Sequence, residues 1–213
     1  MNEKVLVVAA HPDDEVLGCG GTIAKLTHDG VPVRVLLLCK SGRGGFENAF
    51  KAAKILGVRV LFEDFPGNKF DTVPLLSIVN AISVVADEFE PSIVFTHSKA
   101  DLTVDHKVCC EAVVAAVRPF GLHAGTSIFC FETVSSTEWN SLKTFKPNHY
   151  EDITGFWDKK LKALKAYESE MRPFPHPRSY EGLKALAKFR GMNVGFEAAE
   201  AFEIARDCRS VCK

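Results

Sequence analysis

Short apolar runs alternate with segments of helical spacing along the whole chain, and most runs end in a polar turn. Residues 5–10 read VLVVAA, too short and too valine-rich for a helix, which predicts a buried strand. Residues 31–40, 58–64, 92–98 and 128–133 repeat this signature between turn residues and predict four more strands. A first helix runs from the turn after residue 10 to near Gly30, and a second covers 47–56 and is stopped by Gly57. The third, 74–89, carries the apolar stripe Leu75, Ile78, Val79, Ile82 and Val85 and is halted by Pro91. A fourth opens at VDHKVCC, and two more are predicted at 156–167 and 180–190. The stretch up to Asp152 reads as loop-rich, and 199–204 as an added edge strand. Alternating β and α segments joined by right-handed crossovers give an α/β fold. The expectation is a single Rossmann-like domain of three layers, with a mainly parallel sheet of order about 3-2-1-4-5. Strands one and four are then neighbours where the chain reverses direction, and that crevice is the expected ligand site.

Two polar clusters fall on this crevice. The first is His11-Pro12-Asp13-Asp14-Glu15, between the first strand and the first helix. Three acids so close repel one another unless a cation sits among them or water screens them. One reading is an elaborate helix cap, since acids at a helix start satisfy free amides and favour the dipole. The other is a metal site, because His and Asp are N/O ligands suited to zinc and Pro12 biases His11 toward extended geometry. Gly18, Gly20 and Gly21 follow inside the helix, where each costs about 1 kcal/mol relative to alanine. Close approach of helix to sheet, or of a ligand to backbone, would offset that. Their spacing is wrong for G-x-G-x-x-G, which weakens a nucleotide-binding oxidoreductase as the alternative. The glycine-rich stretch 41–46 is too irregular for a P-loop and reads as a connector from which Arg43 can face substrate.

The second cluster is THSKADLTVDHK, residues 96–107, with Thr103 as N-cap and Asp105 and His106 in the first helical turn. A charged histidine is disfavoured at a helix N-terminus, whereas a neutral imidazole there suits a metal. His97 reads as a satisfied strand-end residue. If the topology holds, His11, Asp14 and His106 converge on one ion with a position left open, as in catalytic zinc sites.

Composition narrows the field further. The 213 residues are 46% hydrophobic and 25% charged, ordinary for a globular protein. A net charge of −1 excludes bulk electrostatic binding to nucleic acid or anionic membrane. No apolar run approaches the ~20 residues of a transmembrane helix, and the N-terminus opens into a strand without a basic-plus-apolar leader, so the expected location is cytoplasmic. The seven cysteines are odd in number, none forms C-x-x-C, and several lie in apolar runs, which reads as buried reduced thiols; Cys208 and Cys212 read as structural.

AHPDDE after an N-terminal strand, with D-L-x-x-D-H near mid-chain, resembles the PIG-L/LmbE-like family of zinc-dependent N-deacetylases. The likeness extends through PGNKFDT, ESEMRPFPHPRSYEGLKALAKFRG and the closing AEAFEI. It implies a Zn2+ held by His11, Asp14 and His106, with Asp13 as general base. It also implies removal of the acetyl group from a small-molecule N-acetylated sugar or glycoconjugate. The sequence leaves the oligomeric state open, a homo-oligomer included. Zinc brings the pKa of bound water to about 7, and a nearby carboxylate takes the proton as water attacks the amide. Many members have a histidine three residues before the ligand histidine, where this chain has Thr103. The second oxyanion donor is then another group, with His176 or His97 as candidates. His176 lies in PFPHPRS, whose prolines stiffen the loop over the pocket. Substrate contacts are expected from Arg178, Asp105, Thr103, Asn68 and Arg43, while Trp139 and Phe145 read as packing. A sugar-binding protein without catalysis on the same scaffold is the remaining alternative.

Overall fold

The computed structural model describes residues 3–40 and 45–208. In chain order the elements are β1 (Val5–Ala9), α1 (Asp14–His28), β2 (Val33–Leu37), α2 (Gly45–Leu56), β3 (Arg59–Phe62), α3 (Leu75–Phe89) and β4 (Ile93–His97). They continue as α4 (Val104–Ala116), β5 (Ser127–Phe131), β6 (His149–Asp152), α5 (Trp157–Leu164), α6 (Tyr180–Met192) and β7 (Ala199–Arg206). The seven strands form one sheet of order β3-β2-β1-β4-β5-β7-β6. Strands β1 to β5 are parallel, with Val7 opposite Val35 on one side and Phe95 on the other.

The parallel strands read as unbroken apolar runs because both faces of the sheet are covered. Val5, Val7 and Ala9 pack with Ile23 of α1, Ala52 of α2, Leu164 of α5 and Leu183 of α6. Leu6 and Val8 pack on the other face with Ile78 and Ile82 of α3 and Cys109 and Val113 of α4. These are the three expected layers. Leu75, expected in the core stripe, is instead substantially exposed at the start of α3. Cys19, Cys109, Cys110 and Cys130 are buried reduced thiols, as expected, and Cys212 lies outside the described residues.

The edge is corrected. β7 is interior and antiparallel, pairing with β5 and β6, and the edge strand is β6, in the stretch read as loop. Its sequence HYED lacks apolar alternation, and charged side chains of that kind blunt an edge against further pairing. That composition hides the strand from a hydrophobicity reading.

Helix α1 carries the site, and its glycines serve packing. A Cβ at Gly18 would lie 2.2 Å from the Phe131 ring of β5, and one at Gly21 would lie 2.8 Å from Ile153. The helix is kinked at Cys19, which has non-helical angles (φ −142°). The polar groups around this kink are taken up by a buried ion pair from distant elements. Glu200 of β7 accepts from the Gly21 and Thr22 amides at 2.8 and 2.7 Å, and Lys160 of α5 donates to the Leu17 carbonyl at 2.9 Å. Lys160 and Glu200 meet at 2.6 Å. No described helix is long and apolar enough to cross a membrane.

Candidate metal centre

Both polar clusters lie at the carboxyl ends of neighbouring strands, β1 and β4. The chain turns sharply after β1. Asp13 takes φ 109°, outside the regions open to an ordinary L-residue, at a cost of about 1–3 kcal/mol. This turn brings the Asp14 carboxylate back over His11, whose amide donates to Asp14 Oδ2 at 2.9 Å. Helix α4 presents His106 from the opposite side.

Three donor atoms then form a nearly equilateral triangle. His11 Nδ1 and Asp14 Oδ2 are 3.2 Å apart, His106 Nε2 and Asp14 Oδ2 are 3.2 Å apart, and the two ring nitrogens are 3.3 Å apart. Tetrahedral ligands about 2.0–2.1 Å from a zinc ion lie about 3.3 Å from one another. The donor set and its spacing fit a divalent ion.

Each histidine has its other nitrogen against a carboxylate, the arrangement that orients metal-ligating imidazoles. His11 Nε2 lies 2.8 Å from Asp105 Oδ2, and His106 Nδ1 lies 3.1 Å from Asp101 Oδ1. Asp105 is held by the amides of Asn68 (2.5 Å) and Phe70 (3.0 Å). Asp101 is held by the Thr103 amide (2.8 Å) and the hydroxyls of Thr137 (2.6 Å) and Ser136. Burial opposes charge on both imidazoles. The bonds to Asp105 and Asp14 nevertheless hold His11 up at about 10, and Asp14 with Asp101 holds His106 up at about 9. The surrounding carboxylates therefore favour positive charge at this cluster. An Asp105→Asn variant is expected to weaken divalent-ion affinity about 10–100-fold, measured by chelator competition; unchanged affinity would remove the orienting role of Asp105.

The three adjacent acids have separate partners. Asp14 faces the histidines. Asp13 Oδ2 accepts from Arg178 Nη1 at 2.7 Å. Glu15 bonds the Asp13 amide at 3.0 Å and the Tyr167 hydroxyl at 2.6 Å. Burial pushes Glu15 up to about 7, Tyr167 opposing. Burial and the Asp14 charge push Asp13 up, with Arg178 pulling it down.

The PIG-L family model, described as GlcNAc-PI de-N-acetylase, matches residues 6–117, the segment that carries all three donors and Asp13. The chain belongs to the PIG-L family. The uncharacterized deacetylase YaiS of Escherichia coli (strain K12) is 30% identical over 78% of this chain and 90% of its own length. The diacetylchitobiose deacetylase of Thermococcus kodakarensis is 28% identical over 93% of this chain and 81% of its own. A crystal structure of the conserved protein TT1542 from Thermus thermophilus superposes with a TM-score of 0.79 at 27% identity, covering 98% of this chain and 97% of that one. The 4-oxalmesaconate hydratase of Pseudomonas putida is also similar, 26% identical over 98% of this chain and 89% of its own length.

Within this PIG-L fold, the residues expected to contact substrate have the following partners. Asp105 is buried, with hydrogen bonds at both carboxylate oxygens, to His11 and to the loop at 68–70. Thr103 occupies the N-cap position of α4, but its hydroxyl bonds Ser136 at 2.6 Å instead of capping the helix. Asn68 contributes its backbone amide, in a left-handed turn (φ 60°). Arg43 lies outside the described residues. His97 is fully buried, and its Nε2 accepts from the Ala10 amide at 3.0 Å. Its ring stacks on His106 at 3.9 Å, and burial lowers it to about 4, so it is a neutral wedge and no free donor. His176 Nδ1 accepts from the Arg178 amide at 3.0 Å, and its ring meets the edge of Trp139. Trp139, read as packing, is 52% exposed. Asp101, Tyr167 and Ser136 escaped the sequence reading. Only Asp101 left a trace, as the first residue of D-L-x-x-D-H.

Proposed function

We propose that this chain hydrolyses the acetamide of an N-acetylated amino sugar or its conjugate. A divalent ion, for which zinc is the best match, is held by His11, Asp14 and His106, with Asp13 as general base. The observation that carries this reading is the donor triangle beside a separately held carboxylate. An ion bound there supplies Lewis acidity, polarising the acetamide carbonyl and acidifying water. Asp13 accepts the proton of the attacking water and returns it to the leaving amine. Asp105 and Asp101 fix the two imidazoles. His176, on the loop whose Arg178 reaches Asp13, is the candidate for a second donor to the oxyanion in a chain that has Thr103 three residues before His106. The amino-sugar class follows from the GlcNAc-PI description of the family and from the diacetylchitobiose relative.

A second reading, addition of water to a carbon–carbon double bond, is favoured by the similarity to the P. putida hydratase. A phosphate cradle in α1 has lost its support, since Gly18 and Gly21 are filled against Phe131 and Ile153. The deciding experiment measures acetate release from N-acetylglucosamine, N,N'-diacetylchitobiose and N-acetylglucosamine conjugates, alongside 4-oxalmesaconate hydration. The expected result is acetate from at least one sugar, abolished by chelator and restored by zinc. Hydration without acetate release from any sugar would replace the proposal with the second reading.

A further inference from the structure

We propose that Arg178 is a positioning residue for the general base, delivered by the strap at residues 173–179 and clamping one oxygen of Asp13. This inference rests on the deacetylase reading and assigns a role to a side chain expected to meet substrate. The guanidinium makes two directed bonds, from Nη1 to Asp13 Oδ2 at 2.7 Å and from Nε to Ser135 Oγ at 2.8 Å. Both partners belong to the small set of described non-glycine residues with left-handed backbone, Asp13 at φ 109° and Ser135 at φ 63°. Two strained turns, one after β1 and one after β5, thus converge on a single arginine.

The strap is anchored on either side of Arg178. Its amide donates to His176 Nδ1 at 3.0 Å, its carbonyl accepts from the Arg172 amide at 3.3 Å, and Ser179 Oγ caps α6 by accepting from Gly182 at 2.9 Å. The clamp leaves Asp13 Oδ1 without a hydrogen-bond donor among the described residues, as the oxygen open to a reacting proton. A carboxylate pinned through one oxygen presents the lone pairs of the other in a fixed direction, which is the orientation a proton transfer requires. Two of the five guanidinium N–H donors of Arg178 are taken, Nη1 by Asp13 and Nε by Ser135, and the Glu170 carboxylate lies 3.8 Å from Nη1.

The test compares wild type, Arg178→Ala and Arg178→Lys by kcat and KM on N,N'-diacetylchitobiose, with metal content measured on each. Arg178→Ala is expected to lower kcat about 100-fold while KM stays within about threefold and metal content is unchanged. Arg178→Lys, lacking the second directed bond, should recover only a small part. Guanidinium ion added to Arg178→Ala is expected to restore kcat at least about tenfold, and to do nothing for Asp13→Ala. A raised KM at unchanged kcat would make Arg178 a substrate contact and overturn the clamp. So would a folded, metal-loaded Arg178→Ala that guanidinium does not rescue. If Arg178→Ala does not fold, Ser135→Ala carries the test, since it keeps the charge and removes one anchor. A several-fold fall in kcat supports the clamp, and an unchanged kcat overturns it. Wild-type protein that loads metal and frees no acetate overturns the deacetylase reading and this inference with it, whereas the variant results sink the clamp alone.

Discussion

An Asp13→Asn variant is expected to hold its divalent ion as tightly as the wild type and to release acetate about 10²–10⁴-fold more slowly. The substitution suits the position. Asp13 sits at φ 109°, and asparagine is among the few residues that tolerate positive φ, so the turn that brings Asp14 over His11 should survive. The donor triangle contains no atom of Asp13, and the amide oxygen of asparagine can still accept from Arg178. The variant loses the capacity to take a proton at that site and the negative charge that pairs with Arg178, while keeping a hydrogen-bond acceptor of the same shape. Steady-state kinetics together with metal analysis read both halves of the expectation. A His11→Ala variant should instead lose ion and activity together, so the pair separates holding the metal from moving the proton. Wild-type turnover in Asp13→Asn would remove Asp13 from the mechanism, and Glu15, the neighbouring acid that burial raises to about 7, would become the next candidate.

The second large effect lies behind the site. Replacing Lys160 by Met should destabilise the fold by about 3 kcal/mol, at the lower end of the range for breaking a buried ion pair. Lys160 and Glu200 are both about 95% buried, at side-chain exposures of 5% each, so the carboxylate left behind cannot recover its charge partner from water. The effect stays at the lower end because Glu200 keeps the Gly21 and Thr22 amides and the Thr22 hydroxyl. The Leu17 carbonyl loses its Lys160 donor at the same time. For a chain of this length the change corresponds to a fall in Tm of about 6–12 °C. Adding Glu200→Gln to Lys160→Met should recover part of the loss by removing the unpaired charge. Denaturant unfolding measures all three proteins, and a change below about 1 kcal/mol in Lys160→Met would show that the kinked helix does not depend on this pair.

The parallel half of the sheet and the donor set were legible for the same physical reason, which is locality. A strand covered on both faces must be apolar at every position, so β1, β2, β4 and β5 announce themselves as runs. His11 and Asp14 are three residues apart across one turn. His106 needed one further step, the placement of β4 beside β1, which right-handed crossovers supply. The fate of Gly18 and Gly21 was visible only as an open choice between ligand and packing, and the ring of Phe131 and the side chain of Ile153 decide it.

What the sequence determined by itself is the α/β layering, the crevice between β1 and β4, and the kind of atoms that line it. Tertiary structure alone decided how the charges there are shared out. Arg178 lies 165 residues from Asp13, Tyr167 lies 152 from Glu15, and Glu200 lies 178 from Thr22. It also placed β7 inside the sheet and the charged β6 at its rim. Backbone periodicity and burial write themselves into neighbouring residues. A pairing between two polar side chains far apart in the chain leaves no period behind, and exists only once the core has brought them within reach.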